Sequence, residues 1–155
     1  MITIRPVIYS DISSLKLIRS ENLSDEIINQ RLSDQNKGDS EFLIIEVDGQ
    51  IIGFVVLKWT GKETHPEYPD MGDLYIKDSE RGKGFGTALI QECENKAKNK
   101  GFKKTGLAVN PDLNANAKRL YEKLDYKVIS DKPYLDGIYN GVEDWVVDLE
   151  KDLSS

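Results

Sequence analysis

Arg81-Gly82-Lys83-Gly84-Phe85-Gly86-Thr87 is the stretch that does most to decide the fold of this chain. It follows the apolar segment Leu74-Tyr75-Ile76, and beyond it apolar residues recur at helical spacing until Gly101. The pattern predicts a strand, a tight loop and a helix that begins within the glycines. Unpaired N–H groups and the positive end of the helix dipole face outward there, and residues without a Cβ atom let an anion approach closely. The stretch therefore predicts a phosphate-binding loop, to which Arg81 and Lys83 add positive charge.

Two better-known phosphate loops do not fit this spacing. A dinucleotide fingerprint, GxGxxG, needs its third glycine where Thr87 stands. A Walker loop needs Gly-Lys-Ser/Thr after an earlier glycine, and the sequence contains no such run. A glycine-rich turn that holds no ligand is the alternative that this stretch alone leaves open.

The length and composition of the chain exclude several classes of protein. Its 155 residues contain no linker, repeat or low-complexity tract, so we predict a single domain over residues 1–155. The longest apolar run, from Ile51 to Leu57, is too short to span a bilayer, and 27 acidic against 21 basic residues argue against nucleic acid. We expect a cytoplasmic protein that binds neither membranes nor nucleic acid. Cys93 and His65 are the only residues of their types, so we expect no metal site, and Cys93 is predicted to pack in the core.

The order of predicted elements indicates an α/β sandwich. Ser10-Asp11 and Ser24-Asp25 cap the first two helices, a third helix follows the glycine loop, and a fourth runs from about Asn114 to Leu124. Asp48-Gly49 predicts a two-residue hairpin turn, and an aromatic loop is expected before the last strand. Seven strands are predicted, at Ile2–Arg5, Phe42–Val47, Gln50–Trp59, Asp73–Ile76, Thr105–Val109, Tyr126–Ser130 and Val142–Leu149. The expectation is a mixed, largely antiparallel seven-stranded sheet flanked by about four helices.

Two separated motifs resemble the GNAT superfamily of acyl-CoA-dependent N-acetyltransferases, over nearly the whole chain. Its signature Arg/Gln-x-x-Gly-x-Gly/Ala, placed after an aliphatic strand end, is matched by Ile76, Arg81, Gly84 and Gly86. Its downstream pattern Asn-x-x-Ala-x-x-x-Tyr is matched by Asn114, Ala117 and Tyr121. Asp125 stands where relatives usually carry glycine; since Asp tolerates a left-handed cap, we expect a small cost in stability. The resemblance implies the GNAT fold, with the sheet splayed at its central strands.

The resemblance also implies acetyl-CoA as co-substrate. The glycine loop would hold the pyrophosphate, and the strand before it would pair with the pantetheine arm and offer a backbone N–H to the thioester carbonyl. The residues expected to bind the cofactor are Leu74, Tyr75, Ile76, Arg81, Gly82, Lys83, Gly84, Phe85, Gly86, Thr87, Asn114 and Tyr121. A helix cap is the alternative role for Asn114.

The candidate catalytic residues are Tyr121, whose role the resemblance implies, and Asp73, which lies on the strand beside the expected reaction centre. Tyr121 would protonate the departing thiolate as a general acid, and its alternative is a core aromatic in an apolar stripe. Asp73 is the first candidate for the base that takes the amine proton. Glu67, Asp70 and a water relay are further candidates, and His65 is a less favoured one. No residue resembles a covalent nucleophile, so direct transfer in a ternary complex is expected.

The sequence says least about the acceptor, which we expect to be a small-molecule or peptide amine. An acidic mouth would favour a cationic amine, and a plain solvated loop is the alternative. The residues that would form the mouth and its wall are Glu63, Glu67, Asp70, Asp73, Asp136, Glu143, Asp144, Tyr134, Leu135 and Tyr139. A non-catalytic acyl-CoA-binding module is the rival to an N-acetyltransferase, and a homodimer stays open.

Overall fold

The computed structural model describes residues 1–130 and 132–154. The strands within these ranges are β1 (Ile2–Pro6), β2 (Ser40–Val47), β3 (Gln50–Lys58), β4 (Asp70–Ile76), β5 (Lys104–Val109), β6 (Lys127–Val128), β7 (Tyr134–Tyr139) and β8 (Val142–Asp152). The α-helices are α1 (Ile12–Ile18), α2 (Asp25–Lys37), α3 (Phe85–Asn99) and α4 (Ala115–Lys123).

The strands form a mixed sheet in the order β1-β2-β3-β4-β5-β8-β6, and β7 also pairs with β8. Among the eight strands given above, every pairing is antiparallel except that of β4 with β5. This parallel pairing covers only Asp70 with Gly106 and Met71 with Leu107, and beyond it the two strands separate. The predicted mixed, largely antiparallel sheet, splayed at its centre, is therefore confirmed.

Within the described part of the chain the sheet has eight strands where seven were predicted, because the expected aromatic loop forms β7. Asn140 and Gly141 turn this strand into β8 with φ angles of 54° and 77°. Positive φ at both central residues is the geometry of a tight hairpin turn. Asp48 and Gly49, the turn that was predicted, have the same geometry, with φ angles of 51° and 82°.

Alternating side chains of the central strands serve two hydrophobic cores. In β2, Phe42 and Ile44 face the core beneath α1 and α2, whereas Leu43 and Ile45 face the core beneath α3. This alternation follows from the two-residue period of a strand. Cys93 of α3 lies fully buried in the second core, which confirms its predicted packing role. The strand is therefore buried on both faces, between helices on either side of the sheet.

Two predicted helix ends are confirmed. The Ser24 hydroxyl caps α2 by accepting a hydrogen bond from the Ile27 N–H at 3.2 Å. After α4, Asp125 adopts a left-handed φ of 75°, and the Tyr126 N–H donates to the Tyr121 carbonyl at 3.0 Å. Among residues 1–130 and 132–154, no helix is long and apolar enough to cross a membrane.

Candidate active site

A cavity of about 980 Å³ lies beside the glycine loop and runs to α4. The predicted cofactor residues that line it are Leu74, Tyr75, Ile76, Arg81, Gly82, Gly84, Phe85, Gly86, Thr87, Asn114 and Tyr121. Lys83 is the one predicted cofactor residue that does not line it. We call this space the donor cavity.

The glycine loop presents backbone to the donor cavity. Gly82 and Gly84 have left-handed φ angles of 77° and 88°, and a Cβ atom added at either would meet no atom within 4 Å. Gly84 is the N-cap of α3, so the first N–H groups of that helix are free to meet an anion. The loop geometry thus suits a pyrophosphate.

The two cations of the loop are already engaged within it. Arg81 donates from Nε to the Ile76 carbonyl at 2.8 Å and forms an ion pair with Asp78. Lys83 pairs with Glu80 at 2.9 Å. Because these pairs are exposed, they are screened by solvent and contribute little to stability. The backbone N–H groups and the helix dipole supply positive potential that does not depend on these side-chain pairs.

Asn114 stands at the N-cap of α4, but its side chain makes no capping hydrogen bond. The turn before α4 is held by another side chain, that of Asn110. Its Oδ1 accepts hydrogen bonds from the backbone N–H groups of Asp112 and Leu113, each at 3.0 Å. The capping alternative for the Asn114 side chain is thus not seen. Its side chain is left to line the cavity wall.

Tyr121 both packs against the core and lines the donor cavity. Its ring meets that of Tyr126 edge to face, with centroids 6.5 Å apart. Burial raises the pKa of the Tyr121 phenol to about 12, so the hydroxyl is protonated at neutral pH. A protonated phenol at a cavity wall satisfies the first requirement of a general acid.

A second cavity, of about 740 Å³, lies on the other side of the splay. We call it the acceptor cavity. The two cavities share four lining residues, Leu74, Asn114, Ala117 and Tyr121. They therefore meet beside Tyr121, where β4 has separated from β5.

Asp73 lies in the acceptor cavity at an irregular position of β4. Its φ is 51°, and the β3–β4 register shifts between Phe54 and Val56, opposite this point. Two guanidinium groups hold its carboxylate: Arg19 donates from Nη1 and Nη2 at 2.6 and 2.7 Å, and Arg31 from Nη2 at 2.8 Å. The cluster joins α1 and α2 to the β4 bulge.

The predicted role of Asp73 as base is disfavoured by these contacts. Burial opposes ionisation of the Asp73 carboxyl, but the hydrogen bonds and charges of Arg19 and Arg31 outweigh it and lower the pKa. A carboxylate with a lowered pKa accepts a proton poorly at neutral pH. That Asp73 takes the amine proton stays a prediction, and its surroundings better suit a group that holds the bulge in place.

The carboxylates expected to form an acidic mouth do not give the acceptor cavity a predominantly acidic lining. Asp136 pairs with Lys62 at 3.0 Å, and Asp144 accepts from the Asn110 side chain at 3.0 Å. Glu63, Glu67, Glu143, Tyr134 and Leu135 do not line the acceptor cavity, whereas Tyr139 does. Among residues 1–130 and 132–154, the acidic side chains that line it, Asp70, Asp73, Asp136 and Asp144, are matched by four basic ones, Arg19, Arg31, Lys58 and Lys62.

Several of these acceptor-side residues escaped sequence reasoning. Arg19 lies 54 positions from Asp73 along the chain, and Lys62 lies 74 positions from Asp136. No local pattern in the sequence joins such partners. Lys62 also donates to the Tyr134 hydroxyl at 2.9 Å, which ties the loop before β4 to β7.

Two cavities that meet in a splayed sheet suit a transferase that holds two substrates at once. The sequence profile of the Acetyltransferase (GNAT) family matches residues 8–126, and the chain belongs to this family. An acetyltransferase of Yersinia pestis (strain Pestoides F) is 33% identical over 111 residues, which cover 72% of each chain. The predicted identification as a GNAT acetyltransferase is confirmed.

Solved structures extend the similarity over the whole fold. A putative acetyltransferase of Salmonella typhimurium, solved with its cofactor acetyl-CoA, has a TM-score of 0.76 at 19% identity and covers 99% of this chain and 95% of its own. The ribosomal-protein-S18-alanine N-acetyltransferase of Escherichia coli has a TM-score of 0.78 at 15% identity and covers 100% and 96%. The predicted GNAT fold is confirmed.

Proposed function

We propose that this protein transfers an acetyl group from acetyl-CoA to a primary amine, by direct attack while both substrates are bound. One observation carries this proposal: the donor and acceptor cavities share Leu74, Asn114, Ala117 and Tyr121. A thioester at this junction would be open to an amine from the opposite side. Holding the two reactants there replaces a bimolecular encounter with a step inside one complex.

The donor cavity fits acetyl-CoA. The N–H groups at the start of α3 and the left-handed Gly82 and Gly84 form an anion cradle for the pyrophosphate. Leu74 and Ile76 follow the point where β4 leaves β5, so their backbone groups are free of β5 and can pair with the pantetheine amides. The Salmonella relative, solved with acetyl-CoA, supports the same ligand for this chain.

Bond making and bond breaking would occur beside Tyr121. A backbone N–H of the β4 bulge would stabilise the negative charge that develops on the thioester oxygen. The Tyr121 hydroxyl, which like any phenol is protonated at neutral pH, would donate to the sulfur as it departs. Asp73 and its two arginines would keep the bulge, and hence that N–H, in position.

The rival is an acyl-CoA-binding module without catalysis. A binding module has no need of a second cavity that opens onto the thioester position, nor of a protonated phenol at the junction. The second cavity is present here, with the Tyr121 hydroxyl-bearing ring at the junction, and this arrangement favours the enzyme.

The fold alone does not define the acceptor amine. The E. coli neighbour, which shares the fold, is named for a ribosomal-protein alanine. We propose a small-molecule or peptide amine. The balanced charges of the acceptor cavity do not support a strong preference for cationic amines.

Two measurements test the proposal. Acetyl-CoA at about a hundredfold its dissociation constant should stabilise the protein by about 2.7 kcal/mol, whereas ATP and nicotinamide dinucleotides should not. Release of free thiol from acetyl-CoA should then depend on the amine when small amines and short peptides are compared. No stabilisation at millimolar acetyl-CoA would refute donor binding. Stabilisation without thiol release for any amine would favour the binding module.

A further inference from the structure

Three charged side chains in the wall of the acceptor cavity carry an excess of one positive charge. Arg19 directly follows α1, Arg31 lies in α2 and Asp73 lies in β4. We call these three residues the Asp73 cluster. Among residues 1–130 and 132–154, no carboxylate other than that of Asp73 forms an ion pair with either guanidinium. Because arginine is always protonated at neutral pH, two cations share one anion and the cluster keeps a positive charge.

The hydrogen-bond donors of the two guanidinium groups are incompletely used. Arg19 directs Nη1 and Nη2 at Asp73, whereas Arg31 reaches this carboxylate through Nη2 alone. Arg19 Nε and Arg31 Nη1 are buried and have no hydrogen-bond partner among the described residues. Buried donors nearly always have a partner, which a water molecule or a bound ligand supplies where the chain does not. A water would satisfy these donors, but only an anion would also balance the charge.

Aromatic rings hold both guanidinium groups in place. The Cζ atom of Arg19 lies over the rings of Phe54 and Tyr75, 5.0 and 5.3 Å from their centroids. The Cζ atom of Arg31 lies over the ring of Phe42, at 5.2 Å. The two arginine side chains are only 17% and 18% exposed. A guanidinium that is positioned in this way, and is weakly hydrated, is well suited to bind a planar carboxylate.

The opposite wall of the acceptor cavity has the opposite charge. The Asp73 cluster lies on the β4 side of the splay, whereas Asp136 and Asp144 belong to β7 and β8 on the β5 side. Asp136 pairs with Lys62, but Asp144 accepts from the neutral Asn110 side chain, which does not balance its charge. The balanced total of the cavity therefore conceals a positive wall and a negative wall. An acceptor with a carboxylate and an ammonium group would match both.

We propose that the acceptor amine also carries a carboxylate, and that the Asp73 cluster binds this group through Arg31, assisted by Arg19. The inference rests on the proposed function, because it narrows the class of acceptor for that reaction. A carboxylate provides oxygens for the unpartnered donors and one negative charge, which equals the excess of the cluster. A phosphate group, with a charge of about −1.5 to −2, would exceed it. Arg31 is thus a specificity-determining residue.

The first test compares carboxylate-bearing amines with their amides, by thiol release from acetyl-CoA in the native protein. One arm uses free amino acids against their α-amides. The other uses short peptides that begin with glutamate or aspartate against peptides that begin with glutamine or asparagine. In at least one arm the acid should have a kcat/KM about 10–100-fold higher, the usual range for hydrogen bonds to a charged group. Rates are referred to the free-base form of each amine, since amidation changes the amine pKa.

The variants locate this preference at the cluster. Arg31→Gln should reduce the ratio of acid to amide to less than about threefold, because the charge of Arg19 is then balanced by Asp73. A merely structural role of Arg31 would lower kcat/KM for acid and amide alike and leave their ratio unchanged. Arg31→Lys keeps the charge but not the planar set of donors, so its ratio should be intermediate. Lys37→Gln is the matched control and should keep the native ratio, since it removes an exposed charge of the same helix outside both cavities.

The second test needs no turnover. CoA, the thiol product, has no acetyl group to transfer, so the same acids and amides can be added to the protein at saturating CoA. At millimolar concentration an acid from the preferred arm should raise the melting temperature more than its amide does, because a ligand that binds only the folded state stabilises it. Arg31→Gln should lose this difference, and Lys37→Gln should keep it.

The outcomes separate failure of the inference from failure of the proposed function. If the native protein neither acetylates nor binds the acids in preference to their amides, the anion site is wrong while acetyl transfer stands. A preference that persists undiminished in folded Arg31→Gln would equally overturn the role of the cluster. If Arg31→Gln does not fold, Arg31→Lys and the native comparison decide the question. Stabilisation by acids at saturating CoA, without acetylation of any amine, would support the anion site and refute the proposed function.

Discussion

The donor and acceptor cavities face the same junction but are built in opposite ways. The donor cavity takes its anion-binding potential from one contiguous stretch, residues 81–87, whose backbone and helix dipole need no partner elsewhere. The acceptor cavity is lined by side-chain charges that are paired across distant parts of the chain, such as Arg19 with Asp73 and Lys62 with Asp136. Binding by backbone N–H groups depends on the conformation of the loop. The charge of a cavity lined by ion pairs depends on whether both members of each pair are present. The two sides should therefore respond differently to substitution, pH and salt.

The largest effect is expected from a side chain added to the donor loop. Gly84→Val should abolish stabilisation by acetyl-CoA, because a branched Cβ would fill the anion's approach and disfavour the left-handed φ of 88°. Gly38→Val is the matched control, since Gly38 has a φ of 82° and open space around it but caps α2 away from both cavities. Both variants should unfold at lower temperature, and only Gly38→Val should keep the ligand-induced shift. An undiminished shift in Gly84→Val would contradict a backbone site.

The next largest effect concerns the tyrosine at the junction. Tyr121→Phe should lower kcat by about a hundredfold or more and leave acetyl-CoA affinity nearly unchanged, because general acid catalysis contributes about 10²–10⁴-fold. The neighbouring Tyr126 provides the control. Its buried hydroxyl donates to Glu94 at 2.7 Å and lies 2.9 Å from the Thr105 hydroxyl.

Tyr126→Phe should therefore lower the free energy of unfolding by about 1–3 kcal/mol, because Glu94 loses a buried partner, without changing kcat in the folded fraction. The two variants are compared by the rate of free-thiol release from acetyl-CoA and by chemical denaturation. Equal kcat in the native protein and in Tyr121→Phe would show that Tyr121 is a core aromatic and not the general acid.

The donor side could largely be predicted from the sequence, whereas the acceptor side could not. The donor loop and the Asp48-Gly49 turn were predicted because their conformations are set by neighbouring residues, through left-handed φ angles and helix ends. Asn140-Gly141 carried the same hairpin signal and was overlooked, and with it β7. That strand was therefore readable in principle.

The lining of the acceptor cavity could not be predicted from the sequence. The sequence shows several carboxylates, which suggested an acidic surface, but it does not show the basic side chains that pair with them in the fold. A list of carboxylates cannot show that Lys62 reaches Asp136 or that two arginines converge on Asp73. Such contacts depend on how α1, α2 and β7 pack against the sheet. The burial that changes the pKa of Asp70 is likewise a property of the folded chain.

A moderate effect on stability is expected from the Asp73 cluster. Asp73→Asn should lower the free energy of unfolding at pH 7 by about 2 kcal/mol, since hydrogen bonds to charged groups contribute about 1.5–3 kcal/mol each and this side chain is partly exposed. Lys16→Gln is the control, because Lys16 and Asp25 are also 2.6 Å apart but exposed, and the expected change is within about 0.5 kcal/mol.

The pH dependence of this difference has a definite sign. The pKa of Asp73 is lowered in the folded state, so its stabilisation is complete above the unfolded value of about 3.9 and is lost as the pH falls through the folded value. The stability difference between the native protein and Asp73→Asn should accordingly begin to shrink as the pH falls below about 4. A difference that does not shrink at all as the pH falls below about 4 would show that the contribution is packing and not charge.

The smallest effect is expected from salt on the acceptor side. Because four acidic and four basic side chains line the acceptor cavity, raising the ionic strength should change KM by less than about threefold, for cationic and neutral amines alike. Lys62→Gln sharpens the comparison. Burial opposes the charge of Lys62, but its hydrogen bonds with Tyr134 and Asp136 raise its pKa, so this lysine stays charged at neutral pH. Its removal leaves Asp136 uncompensated, and a preference for cationic amines that weakens with salt should then appear. A strong salt-sensitive preference for cationic amines in the native protein would show instead that the paired carboxylates still act as an acidic surface.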